Sequence, residues 1–233
     1  MEQQAILVSH GAPSDPQTQE RAIQALAVRV RFWAPDWQVS GTTLTAKGEL
    51  EATLTSLPDA VIYPFFMAEG YFTRIALPKR LKALGRNHAF QHKAFGHAPE
   101  LPSLMVKTAL RAAETAGYAP KDTQLLLAAH GSQVTRASYE QTEAVAAKLR
   151  ALTPFKSVVT GYIEEEPKLS QSAKNLGQAL CLPFFALRAS HVLKDVPEAL
   201  CEAGFEGALL PAIGEVADVA RLIAQTLNKS PIA

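Results

Sequence analysis

Cysteine is scarce in this chain: Cys181 and Cys201 are the only two in 233 residues. Two thiols cannot build a disulfide framework or a cysteine-based zinc site. Both lie in apolar stretches, Ala179-Leu180-Cys181-Leu182 and Ala199-Leu200-Cys201, and read as buried thiols. Excess charge is missing as well. Lys and Arg number 23 against 22 Asp and Glu, a net charge of +1, which argues against a nucleic-acid binder held by bulk positive potential. No apolar run approaches the roughly 20 residues of a membrane span. Met1-Glu2-Gln3-Gln4 carries no basic segment, and the five-residue apolar run behind it is too short for a signal peptide. The expectation is a cytoplasmic protein with neither nucleic acid nor membrane as partner. A dinucleotide G-x-G-x-x-G, a P-loop and an H-E-x-x-H zinc motif are all absent.

What is present is an ordinary globular composition, 48% hydrophobic and 19% charged, long enough for one large domain or two small ones. Short apolar runs alternate with helical patterns. Strands are predicted at 5–9, 39–44, 60–63, 89–95, 125–129, 157–163, 179–184 and 207–210. Helices are predicted at 16–33, 49–56, 75–84, 101–116, 136–151, 168–179, 193–203 and 215–227. Alternating β and α elements with continuously apolar strands imply mostly parallel sheets covered by helices on both faces.

The two halves of the chain match each other. Ile6-Leu7-Val8-Ser9-His10-Gly11 aligns with Leu126-Leu127-Ala128-Ala129-His130-Gly131, and Pro64-Phe65-Phe66 with Pro183-Phe184-Phe185. Fourteen residues beyond each of these prolines stands another, Pro78 and Pro197. An internal duplication explains the common spacing. Tyr118-Ala119-Pro120-Lys121-Asp122 is the natural joint, giving an N-terminal α/β domain over 1–118 and a C-terminal one over 119–233.

Ligands of open α/β sheets bind beyond the carboxyl ends of the strands. His10 and His130 both stand there, each followed by glycine. In the C-terminal half, Glu164 is the first acid after the apolar run ending in Tyr162-Ile163, and His191 follows Pro183-Phe184-Phe185. The repeat pairs Glu164 with Thr45 and His191 with Phe72, so only one half keeps a His/Glu/His set. Two imidazoles and a carboxylate suit Fe, Co, Ni or Zn and leave coordination positions open. One site is therefore expected, with His130, His191 and Glu164 as metal and catalytic residues. Structural roles compete for each of them: a histidine after a strand is often a packing residue, and acids before a proline suit the start of a helix.

These residues resemble the class II chelatases, in the CbiX-like sirohydrochlorin cobaltochelatase/ferrochelatase family of tetrapyrrole biosynthesis. The likeness rests on Leu7-Val8-Ser9-His10-Gly11, Leu127-Ala128-Ala129-His130-Gly131, Tyr162-Ile163-Glu164-Glu165-Glu166-Pro167, and the stretch from Leu182 through His191, Asp195 and Pro197 to Leu200. It covers both halves. The resemblance implies two chelatase-like domains with a tetrapyrrole cleft between them, and insertion of a divalent metal (Co2+, Fe2+ or Ni2+) that is substrate rather than cofactor. It implies no organic cofactor, and a fused chain able to act as a monomer. The family's paired histidines carry over to His130 and His191 and its acid to Glu164, while Phe72 departs from the pattern in the N-terminal half. Protoporphyrin ferrochelatases share this C-terminal placement.

A polycarboxylate macrocycle would be drawn to positive charge. From Gly70 to Pro99 the chain has no acid but holds Arg74, Lys79, Arg80, Lys82, Arg86 and Lys93. Lys79, Lys82 and Arg86 are predicted to share a helical face, which a solvated surface would also explain. His10, Arg188, Arg74 and Lys79 are the candidate substrate contacts. The helix after His130 is expected to favour its neutral imidazole through the helix dipole. Phosphohistidine chemistry is the enzymatic rival; it requires an arginine directly before the histidine, where this chain has Ser9 and Ala129. A non-catalytic tetrapyrrole or metal carrier is the rival of another class.

Overall fold

The computed structural model of the chain describes residues 3–188 and 191–230, with His191 described by its backbone alone. The chain forms two compact units. One comprises residues 1–98 and 217–233, the other residues 99–216.

The first unit is built on a parallel three-stranded sheet of order β2-β1-β3, from Gln3–Ser9 (β1), Trp37–Thr43 (β2) and Val61–Pro64 (β3). Side chains alternate across a strand, so Ile6 and Val8 point to one face. There they pack with Leu50 and Leu54 of α2 (Glu49–Ser56) and Leu77 and Leu81 of α3 (Leu77–Ala83). The other face carries α1 (Pro16–Trp33), which packs on β1 and β2. Asp15 caps α1, its carboxylate accepting the Thr18 N–H at 3.2 Å. Between β3 and α3 the chain makes one π-helical turn, Phe72–Ala76, so this helix starts earlier than its predicted residue 75.

The second unit repeats the plan with one strand more. Its parallel sheet runs β5-β4-β6-β7, from Gln124–Ala129 (β4), Ser157–Tyr162 (β5), Ala179–Pro183 (β6) and Ala208–Leu209 (β7). Leu126 and Ala128 pack with Leu169 of the short α6 (Leu169–Ser172) and with Val196 and Leu200 of α7 (Val196–Glu202). A π-helical turn, His191–Asp195, again precedes the last of these. α4 (Leu101–Ala116) and α5 (Ala137–Leu152) pack against each other, α4 also on β6 and α5 on β5.

The expected α/β class, two mostly parallel sheets with helices on both faces, is therefore present. The compact units cut the chain differently from the repeat joint at 118/119. α4 follows the first sheet in sequence yet belongs to the second unit, while α8 (Asp218–Leu227) packs on α1 of the first. An amphipathic helix needs an apolar surface to cover, and its sequence does not say whose. Val219, Leu222, Ile223 and Leu227 of α8 are all buried there, each contributing about 1.5–3 kcal/mol by its removal from water.

Three predicted elements are shorter than expected. Residues 89–95 form a single bridge, Gln91 to Ile62, instead of a strand. The four residues of β3 offer little to pair with, and Phe95 turns away to pack on Phe65 at 4.7 Å. The helix predicted at 168–179 stops at Ser172, before Asn175 and Gly177, both of which have positive φ. β7 covers two residues of the predicted 207–210. Cys201 also departs from expectation. Val196 and Leu200 of α7 face the core, and one further step around the helix leaves Cys201 exposed while Cys181 is buried.

Candidate functional site

The two units share a backbone frame at the carboxyl ends of their strands. In the first, the Leu44 N–H donates to Ser9 O at 2.9 Å, Thr45 N–H to His10 O at 3.2 Å and Phe65 N–H to Val8 O at 2.7 Å. In the second, Ile163 N–H donates to Ala129 O at 3.1 Å, Glu164 N–H to His130 O at 2.8 Å and Phe184 N–H to Ala128 O at 2.7 Å. Bond by bond, His10 corresponds to His130, Thr45 to Glu164 and Phe65 to Phe184. The π-helical turns extend the correspondence, since Phe72 opens one and His191 the other.

His130 is half-buried at the tip of β4, and its backbone is tied directly to Glu164. Its Nδ1 lies 3.0 Å from Gly131 O. A carbonyl only accepts, so Nδ1 is the donor in this contact, and the bond fixes the plane of the ring. Metal-binding histidines are commonly oriented by such a bond. The expected helix-dipole effect does not reach His130: α5 begins only at Ala137, and a dipole acts within its first turn. Phe185 meets the His130 ring edge-on, with centroids 6.4 Å apart.

The loop after His130 is held by an acid that sequence reasoning passed over. Glu165 turns inward, its side chain only 10% exposed. Its Oε1 accepts the Ser132 N–H at 2.9 Å, and its Oε2 faces Arg136 at 3.4 Å. Gly131 sits over it at φ 75°, where a Cβ would stand 2.9 Å from Glu165 Cγ and 3.1 Å from Tyr162 Cβ. Glu164 points elsewhere and accepts a bond from the Gln133 amide at 3.3 Å. Three consecutive acids were the only sequence signal, and they follow the end of β5 at Tyr162, where no strand period says which of them turns inward. Beneath this loop, Glu143 of α5 accepts the Thr160 and Tyr162 hydroxyls at 2.6 and 2.7 Å, fixing the end of β5. Burial, with the Glu143 carboxylate beside it, raises the Tyr162 phenol well above its ordinary range. In the first unit Glu20 of α1 performs the same task, accepting the Thr43 N–H at 2.7 Å and its hydroxyl at 2.8 Å.

The other candidates are placed as follows. Arg188 is exposed on the loop beyond β6. The side chain of His191 lies outside the described residues, though its backbone starts the π-turn at this end of the sheet. Among the described residues, no three His, Cys, Asp or Glu side chains form a ready group for a metal ion. No helix among them is long and apolar enough to cross a membrane.

In the first unit His10 also holds its own loop, with Nδ1 2.8 Å from Gly11 O. The Thr45 hydroxyl, in the place of Glu164, is buried without a partner. Arg74 pairs with Glu69 at 3.3 Å, and Lys79 is exposed on α3. The predicted Lys79, Lys82, Arg86 face is broken, because α3 ends at Ala83 and Arg86 lies beyond it. The Arg86 guanidinium donates to Leu54 O and Leu57 O at 3.2 and 3.4 Å, and Arg80 binds Glu51 at 2.7 Å. That bond holds the Glu51 carboxyl below its usual range. Arg74, Lys82, Arg86 and Lys93 nevertheless line one groove of about 540 Å³, which Lys79 does not reach.

Comparison with known proteins identifies the chain's relatives. The CbiX family pattern matches residues 124–230. The structure of CbiX, the terminal enzyme for biosynthesis of siroheme in denitrifying bacteria, is 40% identical, with a TM-score of 0.91 over 99% of this chain and 100% of that one. A multi-domain protein from Deinococcus radiodurans with structural similarity to chelatases is 20% identical, with a TM-score of 0.81 over the whole of this chain and 56% of its own. The sirohydrochlorin chelatase SirB from Bacillus subtilis subspecies spizizenii, in complex with cobalt, is 16% identical and shares the fold, with a TM-score of 0.68 over 98% of this chain and 95% of that one. SirB from Bacillus subtilis with Fe3+ is similar at 15% identity and a TM-score of 0.70, over the same shares of the two chains. No curated protein matches.

Proposed function

Because the chain belongs to the CbiX family, we propose that it inserts a divalent metal, Co2+ or Fe2+, into sirohydrochlorin or a related tetrapyrrole, serving siroheme or cobalamin synthesis. The observation that carries this reading is the aim of His130. Its ring is oriented by the bond between Nδ1 and Gly131 O, and its own carbonyl holds Glu164 through the backbone, so the candidate base and the candidate acid are fixed at one strand end. The structures of SirB with cobalt and with Fe3+ support cobalt or iron as the metal.

Insertion exchanges two pyrrole N–H protons for one M2+. His130, His191 and Glu164 present the metal to the macrocycle in this reading. As the ring nitrogens take over coordination, a released imidazole accepts one proton and Glu164 passes protons to solvent. Neither step needs a nucleotide or an organic cofactor. His10, Arg188, Arg74 and Lys79 meet the carboxylate-rimmed substrate.

Purified protein mixed with sirohydrochlorin and Co2+ or Fe2+ tests the reading, with absorbance followed over many turnovers. His130→Ala and His191→Ala are expected to abolish insertion, and His10→Ala to slow it far less. Stoichiometric binding without turnover would identify a carrier instead. Equal loss from all three variants would refute the single-site assignment. Repeating the assay with protoporphyrin fixes the substrate class.

A further inference from the structure

The first unit carries an aromatic surface where the second has His191. Phe72 opens the π-turn, and its ring centroid lies 4.1 Å from that of His10. Phe66 runs nearly parallel to it at 6.4 Å, and Tyr71 meets it edge-on at 5.5 Å. These side chains are not core. Tyr71 is 60%, Phe72 39% and Ile75 55% exposed, while Phe65 next door is buried. An apolar group held out to water at the carboxyl edge of a parallel sheet is an invitation to a ligand.

The chemistry of the surface selects the occupant. Thr45 stands where a carboxylate would be needed and Phe72 where the second imidazole would be, so among the described residues His10 has no partner set with which to hold a metal. Flat rings favour a flat, polarisable face. The segment from Gly70 to Pro99 contains no acid, so the ligand's rim can be anionic. A tetrapyrrole has both properties. We propose that Phe72, with Tyr71 and His10 beside it, is a specificity residue that stacks on the face of the metal-free macrocycle. By replacing histidine, it also restricts the chain to one metal site.

This inference rests on the tetrapyrrole reading above, and the test separates the two. Binding of metal-free sirohydrochlorin is measured by absorbance titration for the wild type, Phe72→Ala and Phe72→Trp, and Co2+ alone is titrated into each. Phe72→Ala is expected to raise the Kd for the macrocycle about tenfold, from lost stacking and lost apolar contact. Phe72→Trp is expected to keep or improve it, and Co2+ affinity to stay at the wild-type value in both. In turnover the alanine defect falls on KM rather than kcat. Unchanged macrocycle binding by Phe72→Ala, or a parallel fall in Co2+ affinity, overturns the stacking role and leaves the proposed function standing. A wild-type protein that binds no tetrapyrrole overturns both.

Discussion

Gly131 is where backbone, buried acid and candidate ligand meet, so Gly131→Ala tests the account of the site most directly. At φ 75° an alanine enters the left-handed region, which costs about 1–2 kcal/mol. Its Cβ would then stand 2.9 Å from Glu165 Cγ and 3.0 Å from Glu165 Oε1. Glu165 has to give way, and with it the carboxylate bond to the Ser132 N–H, a charge-assisted bond of about 1.5–3 kcal/mol. Gly177 supplies the control, with φ 63° and nothing within 4 Å of an added Cβ. Gly177→Ala meets only the backbone penalty, and the entropy lost from the unfolded chain is the same in both variants.

The expected difference between them is therefore about 2 kcal/mol, or roughly 1 M in urea midpoint at a slope near 2 kcal/mol/M. Urea unfolding followed by far-ultraviolet circular dichroism reads it. Adding Glu165→Ala makes the cycle complete. With that side chain gone the conflict with Glu165 disappears and only the 3.1 Å approach to Tyr162 Cβ remains, so the double variant loses less than the sum of the singles. If Gly131→Ala and Gly177→Ala fall within 0.5 kcal/mol of each other, Glu165 is not braced beneath Gly131 and the description of the loop is wrong.

Two further outcomes follow from the burial pattern. Cys201 is exposed, whereas Cys181 is buried with its thiol pushed up to about 12, so one thiol per chain should react with a maleimide in the native state. The second should appear only in denaturant; rapid labelling of both would contradict the packing of β6. His92, half-buried, with Ser230 Oγ 2.9 Å from its Nε2, is lowered from 6.5 by desolvation. The unfolded chain then binds that proton more readily, so His92 removes stability as pH falls below about 6.5, and His92→Phe should lose less between pH 7.5 and 5.5. Phe90, Tyr63 and Ser230 surround the ring; identical pH slopes in the two proteins would show that the imidazole stays accessible to protons.

Much of the fold was legible because its strongest signals are local. Ile6-Leu7-Val8 and Leu125-Leu126-Leu127 are too apolar to lie anywhere but inside a parallel sheet, and the His-Gly and Pro-Phe-Phe landmarks set the repeat. The exchange of α4 and α8 was not legible, because an apolar helical face specifies that something covers it and nothing more. Helix 168–179 failed on a different ground. Leu169 and Ala173 provide the apolar spacing, but the positive φ at Asn175 and Gly177 ends the helix as a property of the folded loop. At the site, Glu164 was chosen by counting from the strand end. Glu165 was missed because its task is to hold a backbone N–H thirty-three residues away, a relation with no sequence period.

The matched frames also explain how one fold can hold a polar site and an aromatic one. The bonds that set both strand ends run between backbone atoms, from residues 44, 45 and 65 in one unit and 163, 164 and 184 in the other. Side chains at these ends are thus free to differ without loss of strand register. Their divergence still leaves a trace. The Thr45 hydroxyl is buried with no partner, at a cost of about 1–3 kcal/mol, whereas Glu164 in the corresponding place reaches out to the Gln133 amide. A carboxylate could not be left in Thr45's position without a cation or a donor to meet it. With Phe72 closing over His10 at 4.1 Å, no group of three ligating side chains among the described residues gathers there to bring that cation in. Threonine in the place of the acid and phenylalanine in the place of the histidine are in this sense one difference: each makes the other tolerable, and together they make this corner of the first unit apolar on a backbone frame that the second unit repeats.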